Sequence, residues 1–108
     1  MSDGGSSVLN LDGLEIDLLS RRVRRDGQDI RLSPKEYGVL AELAKHPGRV
    51  LTHAQLLRAV WGPAYEHHVE YLRVTARGLR TKIETDPAQP RIIKTEPAVG
   101  YRLTDLSG

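Results

Sequence analysis

Apolar and polar residues alternate along the first third of the chain, and this period of two predicts short strands with one buried face. The four predicted strands are Val8–Leu11, Leu14–Leu19, Arg21–Arg25 and Gln28–Leu32. Asp12–Gly13 and Asp26–Gly27 lie between them, and Asp-Gly is typical of tight hairpin turns because both positions must accept positive φ. We expect the basic segment Arg21–Arg25 to be a solvated edge strand protected by its charge. The alternative for this segment is a surface on which another domain docks.

Two capped helices are predicted in the middle of the chain. Each begins with the pattern of a capping box, in which an N-cap hydroxyl and a Glu or Gln side chain satisfy each other's backbone N–H groups. The two pairs are Ser33 with Glu36 and Thr52 with Gln55. The first helix is predicted to stop at Pro47–Gly48 and the second at Gly62–Pro63, since Gly and Pro mark helix ends.

A third helix is predicted from about Glu66 to Thr85, where Asp86–Pro87 interrupts it. Its apolar residues recur at intervals of three and four and form one stripe: Val69, Leu72, Ala76, Leu79 and Ile83. A second stripe beside it consists of Arg73, Arg77 and Arg80. The face most remote from the core is expected to carry Glu70, Val74, Gly78 and Thr81.

A helix with one buried face and a row of arginines favours binding in the DNA major groove. The guanidinium fork can form paired hydrogen bonds with phosphate oxygens or guanine edges. The alternative is a solvated helix face with ion pairs, such as Glu66 with Arg73, Arg80 with Glu84, or Glu70 with Arg73. The capped helix before it and the hairpin after it favour the DNA-binding interpretation.

The chain continues with two predicted strands, Arg91–Thr95 and Val99–Thr104, joined by a short turn that contains Pro97. Four strands, three helices and a final hairpin give an α+β fold, the winged helix-turn-helix. We predict one domain over residues 8–105, preceded by a flexible Gly/Ser-rich leader over residues 1–7.

Composition narrows the possible chemistry. The 108 residues fit one domain, carry a net charge of +2 and include no cysteine, which excludes disulfides and thiolate metal sites. The side chains of His67 and His68 point in different directions on a helix, so they cannot bind one metal ion. No glycine-rich phosphate loop is present, and no nucleophile lies near an acid or base. We therefore expect neither an enzyme nor a bound metal or cofactor. No apolar run approaches the ~20 residues of a membrane helix. Basic residues outnumber acidic ones nine to six from Arg49 onward, so an anionic partner is expected there.

Several segments together resemble the DNA-binding effector domain of OmpR/PhoB-type response regulators. They are Leu32–Tyr37, Arg49–Gly62, Leu79–Glu84, Lys94–Thr95 and Val99–Arg102. The match runs in the family's order from about Leu9 to Leu103. Within the family, Tyr71–Val74 and the loop Gly62–His68 look most like the potassium-uptake (Kdp) regulator branch.

The resemblance implies a bacterial transcription factor, cytoplasmic and nucleoid-associated, for which this chain is the output domain of a two-component system. It implies an N-terminal four-stranded antiparallel sheet, a three-helix core and a C-terminal hairpin, the wing. Family members bind direct repeats of duplex DNA as head-to-tail dimers, driven by phosphorylation of a receiver domain that is absent from this chain. The loop Gly62–Glu66 corresponds to a segment that can touch RNA polymerase.

The resemblance also assigns DNA contacts to particular positions. On the third helix they are Arg73, Thr75, Arg77 and Arg80, and we add Tyr71. On the second helix and the wing they are His53, Trp61, Thr95 and Tyr101, and we add Lys94. For Trp61 and Tyr101 the alternative is packing in the core. We expect Arg73 to reach base edges and Arg80 to reach a phosphate, with the second-helix and wing residues contacting the backbone.

This chain differs from many family members at two positions. It has Pro97 at the wing tip and Gly78 in the third helix, where they have arginines. We therefore expect the wing to hold the DNA backbone and the third helix to carry the sequence preference. A second possible function is a winged-helix protein-interaction module whose basic helix face docks an acidic partner.

Overall fold

The predicted strands and helices occur in the predicted order along residues 8–104, which the computed structural model describes, with one short strand added between the first two helices. The predicted leader 1–7 and Asp105 lie outside the described residues. The strands are β1 (Val8–Leu11), β2 (Leu14–Asp17), β3 (Arg22–Arg25), β4 (Gln28–Asp29), β5 (Leu51–Thr52), β6 (Ile93–Glu96) and β7 (Gly100–Leu103). The helices are α1 (Pro34–Ala44), α2 (His53–Val60) and α3 (Val69–Ile83), with a 3₁₀ turn at Pro63–Tyr65. The predicted α+β winged helix-turn-helix is confirmed.

The N-terminal sheet is antiparallel with the strand order β1-β2-β3-β4, as the family resemblance implied. Both Asp-Gly turns have the predicted backbone, since φ is 52° and 83° at Asp12 and Gly13 and 51° and 84° at Asp26 and Gly27. The prediction of an edge strand at Arg21–Arg25 is wrong. The strand β3 pairs with β2 on one side and with the two-residue strand β4 on the other.

The three helices pack together over the core that the apolar stripes predicted. Both capping boxes form, with the Ser33 hydroxyl accepting from the Glu36 amide at 3.2 Å and the Thr52 hydroxyl accepting from the Gln55 amide at 3.1 Å. The fully buried core residues of the helices include Leu40, Leu43, Leu56, Leu57, Leu72, Leu79 and Ile83. The helix α3 starts at Val69, later than the predicted Glu66, because the 3₁₀ turn uses the residues just before it.

The C-terminal hairpin belongs to a three-stranded sheet with the order β5-β7-β6. The strand β5 was not predicted, since Leu51–Thr52 is too short to show alternation. A Cβ at Gly100 would lie 1.9 Å from the carbonyl oxygen of Leu51, so only glycine allows β5 and β7 to approach this closely. At the wing tip, the Val99 amide donates to the Glu96 carbonyl at 3.0 Å across Pro97 and Ala98. Ala98 has φ 65°, which is the conformation of a type II turn.

Candidate nucleic-acid interface

The three arginines of α3 border one open groove together with part of the wing. Its lining residues are Arg73, Arg77, Arg80, Thr81, Pro87 and Tyr101. Arg73 and Arg77 are exposed, whereas Arg80 is half-buried. The predicted arginine stripe therefore lies beside the hairpin, and the fold concentrates positive charge where helix and wing meet.

Arg77 presents a guanidinium that makes no side-chain hydrogen bond or ion pair within residues 8–104. Arg73 has one weak partner, since its Nη1 lies 3.5 Å from Oε1 of Glu70 and both side chains are largely exposed. Of the ion pairs expected for a solvated face, this contact between Glu70 and Arg73 forms, whereas the other two do not. Glu66 lies 3.7 Å from Arg58 instead of pairing with Arg73, and Glu84 faces β6 instead of Arg80. Arg73 and Arg77 thus remain available to an external anion.

The Arg80 side chain forms hydrogen bonds with the wing. Its Nη2 donates to the carbonyl oxygen of Ile93 at 2.8 Å and to the hydroxyl of Thr95 at 2.7 Å. The guanidinium carbon also lies 5.4 Å from the centre of the Tyr101 ring. In the DNA-free protein the Arg80 side chain therefore connects α3 to both strands of the hairpin.

Two of the predicted wing residues, Thr95 and Tyr101, lie with His53 on the same side of α3. The Tyr101 ring is buried under Arg80 and meets the His53 ring edge-on at 5.9 Å between centroids. Thr95 is exposed, and Lys94 is half-buried on the same strand. The structure thus brings together Arg73, Arg77, Arg80, His53, Thr95 and Tyr101. Lys94 pairs with Arg102 and lies on the opposite face of the hairpin from Thr95 and Tyr101.

Trp61, Tyr71 and Thr75 lie apart from this group, on the flank of α3 that faces α2 and its following turn. Tyr71 contacts the rings of Trp61, Tyr65 and His68, with centroids 6.5, 6.0 and 4.9 Å away. Trp61 is partly buried against the core. Thr75 follows Tyr71 by one helical turn and is half-buried. The predicted contact residues therefore form two groups, one on each flank of the helix.

Gly78 does not lie on the outer face of α3, and that expectation is wrong. A Cβ at Gly78 would be 2.6 Å from Oε2 of Glu36, so the glycine makes room for this carboxylate of α1. The other oxygen, Oε1, accepts from Lys82 Nζ at 2.6 Å and from the Ser33 amide at 2.9 Å. Burial raises the pKa of Glu36, but the hydrogen bonds from Lys82 and Ser33 outweigh it and hold the pKa below its ordinary 4.5.

Glu84 is a residue whose importance the sequence did not reveal. Only 7% of it is exposed, and its carboxylate accepts the backbone N–H groups of Arg91, Ile92 and Ile93 at 2.8 to 3.1 Å. These bonds attach the beginning of β6 to the end of α3. The only sequence signal was an acidic residue directly after the last apolar position of the helix, and that signal does not indicate its distant partners.

A family model described as the C-terminal domain of transcriptional regulatory proteins matches residues 27–103. The chain belongs to this family. The match includes α1, α2, α3 and the wing, so the predicted OmpR/PhoB-type resemblance is confirmed. Within the described residues of this family member, no helix has the length and apolar character needed to cross a membrane, and no group of three or more His, Cys, Asp or Glu residues could hold a metal ion.

Named relatives agree with this assignment. The chain is 41% identical over 95 residues to the transcriptional regulatory protein KdpE of Mycobacterium tuberculosis H37Rv, covering 88% of this chain and 42% of that protein. The similarity to the Kdp branch is thereby confirmed. The chain spans less than half the length of the curated relatives it matches.

Two solved structures have the same fold. The response regulator DrrB of Thermotoga maritima, an OmpR/PhoB homolog, is 34% identical with a TM-score of 0.78, covering 91% of this chain and 44% of that one. The RstA DNA-binding domain of Klebsiella pneumoniae, solved in complex with the RstA box, is 29% identical with a TM-score of 0.79. That match covers 90% of this chain and 96% of the RstA domain.

Proposed function

We propose that this domain binds duplex DNA with α3 in the major groove and the wing on the sugar-phosphate backbone. The observation that carries the proposal is the exposed Arg73–Arg77 edge of α3, which borders a groove shared with the wing and keeps one guanidinium without a partner among the described residues. Membership of a family of transcription-regulator domains supports it, as does the similarity to a domain solved with its DNA box.

The division of contacts follows from the chemistry of the side chains. An α-helix about 10–12 Å across fits a major groove ~12 Å wide, where arginine can bond guanine edges. The hydroxyls of Thr95 and Tyr101, the Lys94 ammonium and the rings of His53 and Trp61 suit phosphate contacts, which fix position without reading sequence. Tyr71 and Thr75 would contact DNA on the opposite flank of α3. Pro97 leaves the wing tip without a cation for the minor groove.

In the whole protein, we propose that the domain is the output module of a two-component regulator in the bacterial cytoplasm, associated with the nucleoid. A receiver domain beyond this chain would pair two copies head-to-tail on direct repeats. The loop Gly62–Glu66, together with Arg58 and the exposed Tyr65, would offer a contact to RNA polymerase. The isolated domain should bind one half-site only in the micromolar range, near −8 kcal/mol, and tandem copies should gain through effective concentration.

The test is fluorescence anisotropy with a random-sequence duplex at about 50 and 200 mM salt, where phosphate contacts make the affinity fall steeply. Arg77→Ala should weaken binding and reduce the salt dependence, because one cation leaves the interface. Arg31→Ala is the matched control, since Arg31 is exposed and lies before α1, outside α3 and the wing. No binding at the lower salt concentration, or equal losses in both variants, would contradict the proposal and favour an acidic protein partner.

A further inference from the structure

The partners of Arg80 belong to the free edge of the wing. In the sheet order β5-β7-β6, the strand β6 has a neighbour on one side only. The Thr104 amide donates to the Ile92 carbonyl at 2.8 Å, so the Ile92 carbonyl points toward β7. Successive carbonyls of a strand point in opposite directions, and the Ile93 carbonyl therefore points away from β7. The Arg80 guanidinium supplies the hydrogen bonds that this edge carbonyl lacks within the sheet, from Nη2 at 2.8 Å and Nε at 3.3 Å.

The contact with Thr95 constrains where its hydroxyl proton can point. A hydroxyl has one proton and two lone pairs, whereas a guanidinium has donors only. Because Thr95 Oγ1 accepts from Arg80 Nη2 at 2.7 Å, the hydroxyl proton must point elsewhere. Thr95 is exposed, and its hydroxyl has no other partner among residues 8–104. Its proton is thus available to an acceptor on the solvent side, and a hydrogen bond from a cation strengthens it as a donor.

We propose that Arg80 is a positioning residue: it fixes the edge of the wing to α3 and orients the Thr95 hydroxyl to donate to a DNA phosphate, without contacting phosphate itself. The orientation toward phosphate rests on the proposed function, whereas the attachment of wing to helix concerns the free protein. Arginine suits this role because Nε and Nη2 both donate to the Ile93 carbonyl, while Nη2 also donates to the Thr95 hydroxyl. Lysine has one nitrogen and cannot place donors at both of these guanidinium positions. If the Arg80 guanidinium moved to a phosphate, the Ile93 carbonyl and the Thr95 hydroxyl would both lose their hydrogen-bond donor.

The first experiment uses the free protein and does not depend on DNA. Amide hydrogen exchange of the full chain, followed by NMR, compares wild type with Arg80→Lys, which keeps the charge but loses the fork. Exchange of β6 amides should accelerate about tenfold in this variant, the scale of one hydrogen bond to a charged group, while core amides of α1 stay protected. Arg77→Lys is the matched control and should exchange like wild type. Unchanged β6 exchange in Arg80→Lys overturns the proposed attachment.

The second experiment tests the hydroxyl with a double-mutant cycle on binding to a random-sequence duplex. Thr95→Val and Arg80→Lys should each weaken binding about five- to tenfold, on the scale of one lost hydrogen bond. The double variant should bind the duplex no more weakly than the weaker of the two single variants. Thr95→Ser keeps the hydroxyl and should bind like wild type. Additive losses would mean that Arg80 and Thr95 act independently, which overturns the orientation of the hydroxyl. If wild type binds no duplex, the proposed function fails and the Thr95 role with it, while the exchange experiment still decides the attachment.

Discussion

Arg25 of β3 donates a hydrogen bond from its guanidinium to the carbonyl oxygen of Ile83, the last residue of α3 and 58 positions away in the sequence. A second nitrogen of the same side chain donates to the Asp12 carbonyl at 3.0 Å. The last carbonyls of a helix have no partner within it and carry the negative end of its dipole, so a guanidinium there is stabilising. The N-terminal sheet thereby holds the end of the helix that we propose enters the DNA.

We expect Arg25→Ala to lower the free energy of unfolding by about 1.5–3 kcal/mol, the range for hydrogen bonds to a charged group. Urea denaturation measures this. Arg22→Ala is the control from the same strand, because among the described residues the Arg22 side chain pairs with the exposed Asp29 alone and should contribute much less. Equal destabilisation by the two substitutions would show that the bond to α3 is not what makes Arg25 important.

We expect Glu84→Gln to destabilise the domain by about 1–3 kcal/mol, because the new amide group places a donor against backbone donors. The affected N–H groups start β6, so the hydrogen exchange of Ile92 and Ile93 should accelerate as well. Thermal unfolding and exchange of the variant are the measurements. Glu70→Gln provides the control at an exposed position of α3. A Glu84→Gln protein as stable as Glu70→Gln would contradict this account.

The lowered pKa of Glu36 predicts a dependence of stability on pH. A carboxyl whose pKa is lower in the folded state contributes stability above its ordinary pKa of 4.5, and this contribution is lost as the pH falls through the folded value. The stability difference between wild type and Glu36→Gln should therefore shrink between about pH 5 and pH 3. Urea titrations across this interval measure it. A difference that stays constant with pH would exclude the Lys82–Glu36 contact as its cause.

Arg73 and Arg77 are the two arginines of α3 whose guanidiniums are exposed. We expect Arg73→Ala to cost about 1–3 kcal/mol on a preferred site and to relax the preference at one or two base positions. Arg80→Ala should weaken all sequences alike, since its effect passes through the wing. Selection of bound sites from a random DNA library distinguishes these outcomes. If Arg73→Ala lowers binding to selected and random DNA equally, Arg73 contacts only the backbone.

The sequence by itself determined the elements whose causes are local. The Asp-Gly turns, the capping boxes at Ser33 and Thr52 and the apolar stripe of α3 all depend on residues within a few positions of each other. The same locality made the arginine stripe visible, because helical periodicity alone places Arg73, Arg77 and Arg80 on adjacent turns. These patterns, in their order along the chain, were enough to predict the winged helix-turn-helix.

The tertiary structure alone decided what each of these side chains meets. The pairing of β5 with β7, the carboxylate of Glu36 against Gly78, and the bonds from Glu84 to the start of β6 join segments that local patterns cannot relate. Arg80 shows most clearly the difference between local pattern and tertiary contact. Its spacing along the helix places it in the same stripe of arginines as Arg77. Only the packed position of the hairpin makes it a link to Thr95 while Arg77 stays free of partners among the described residues. Periodicity fixes the direction of a side chain on its helix, whereas its partner depends on how distant segments are brought together.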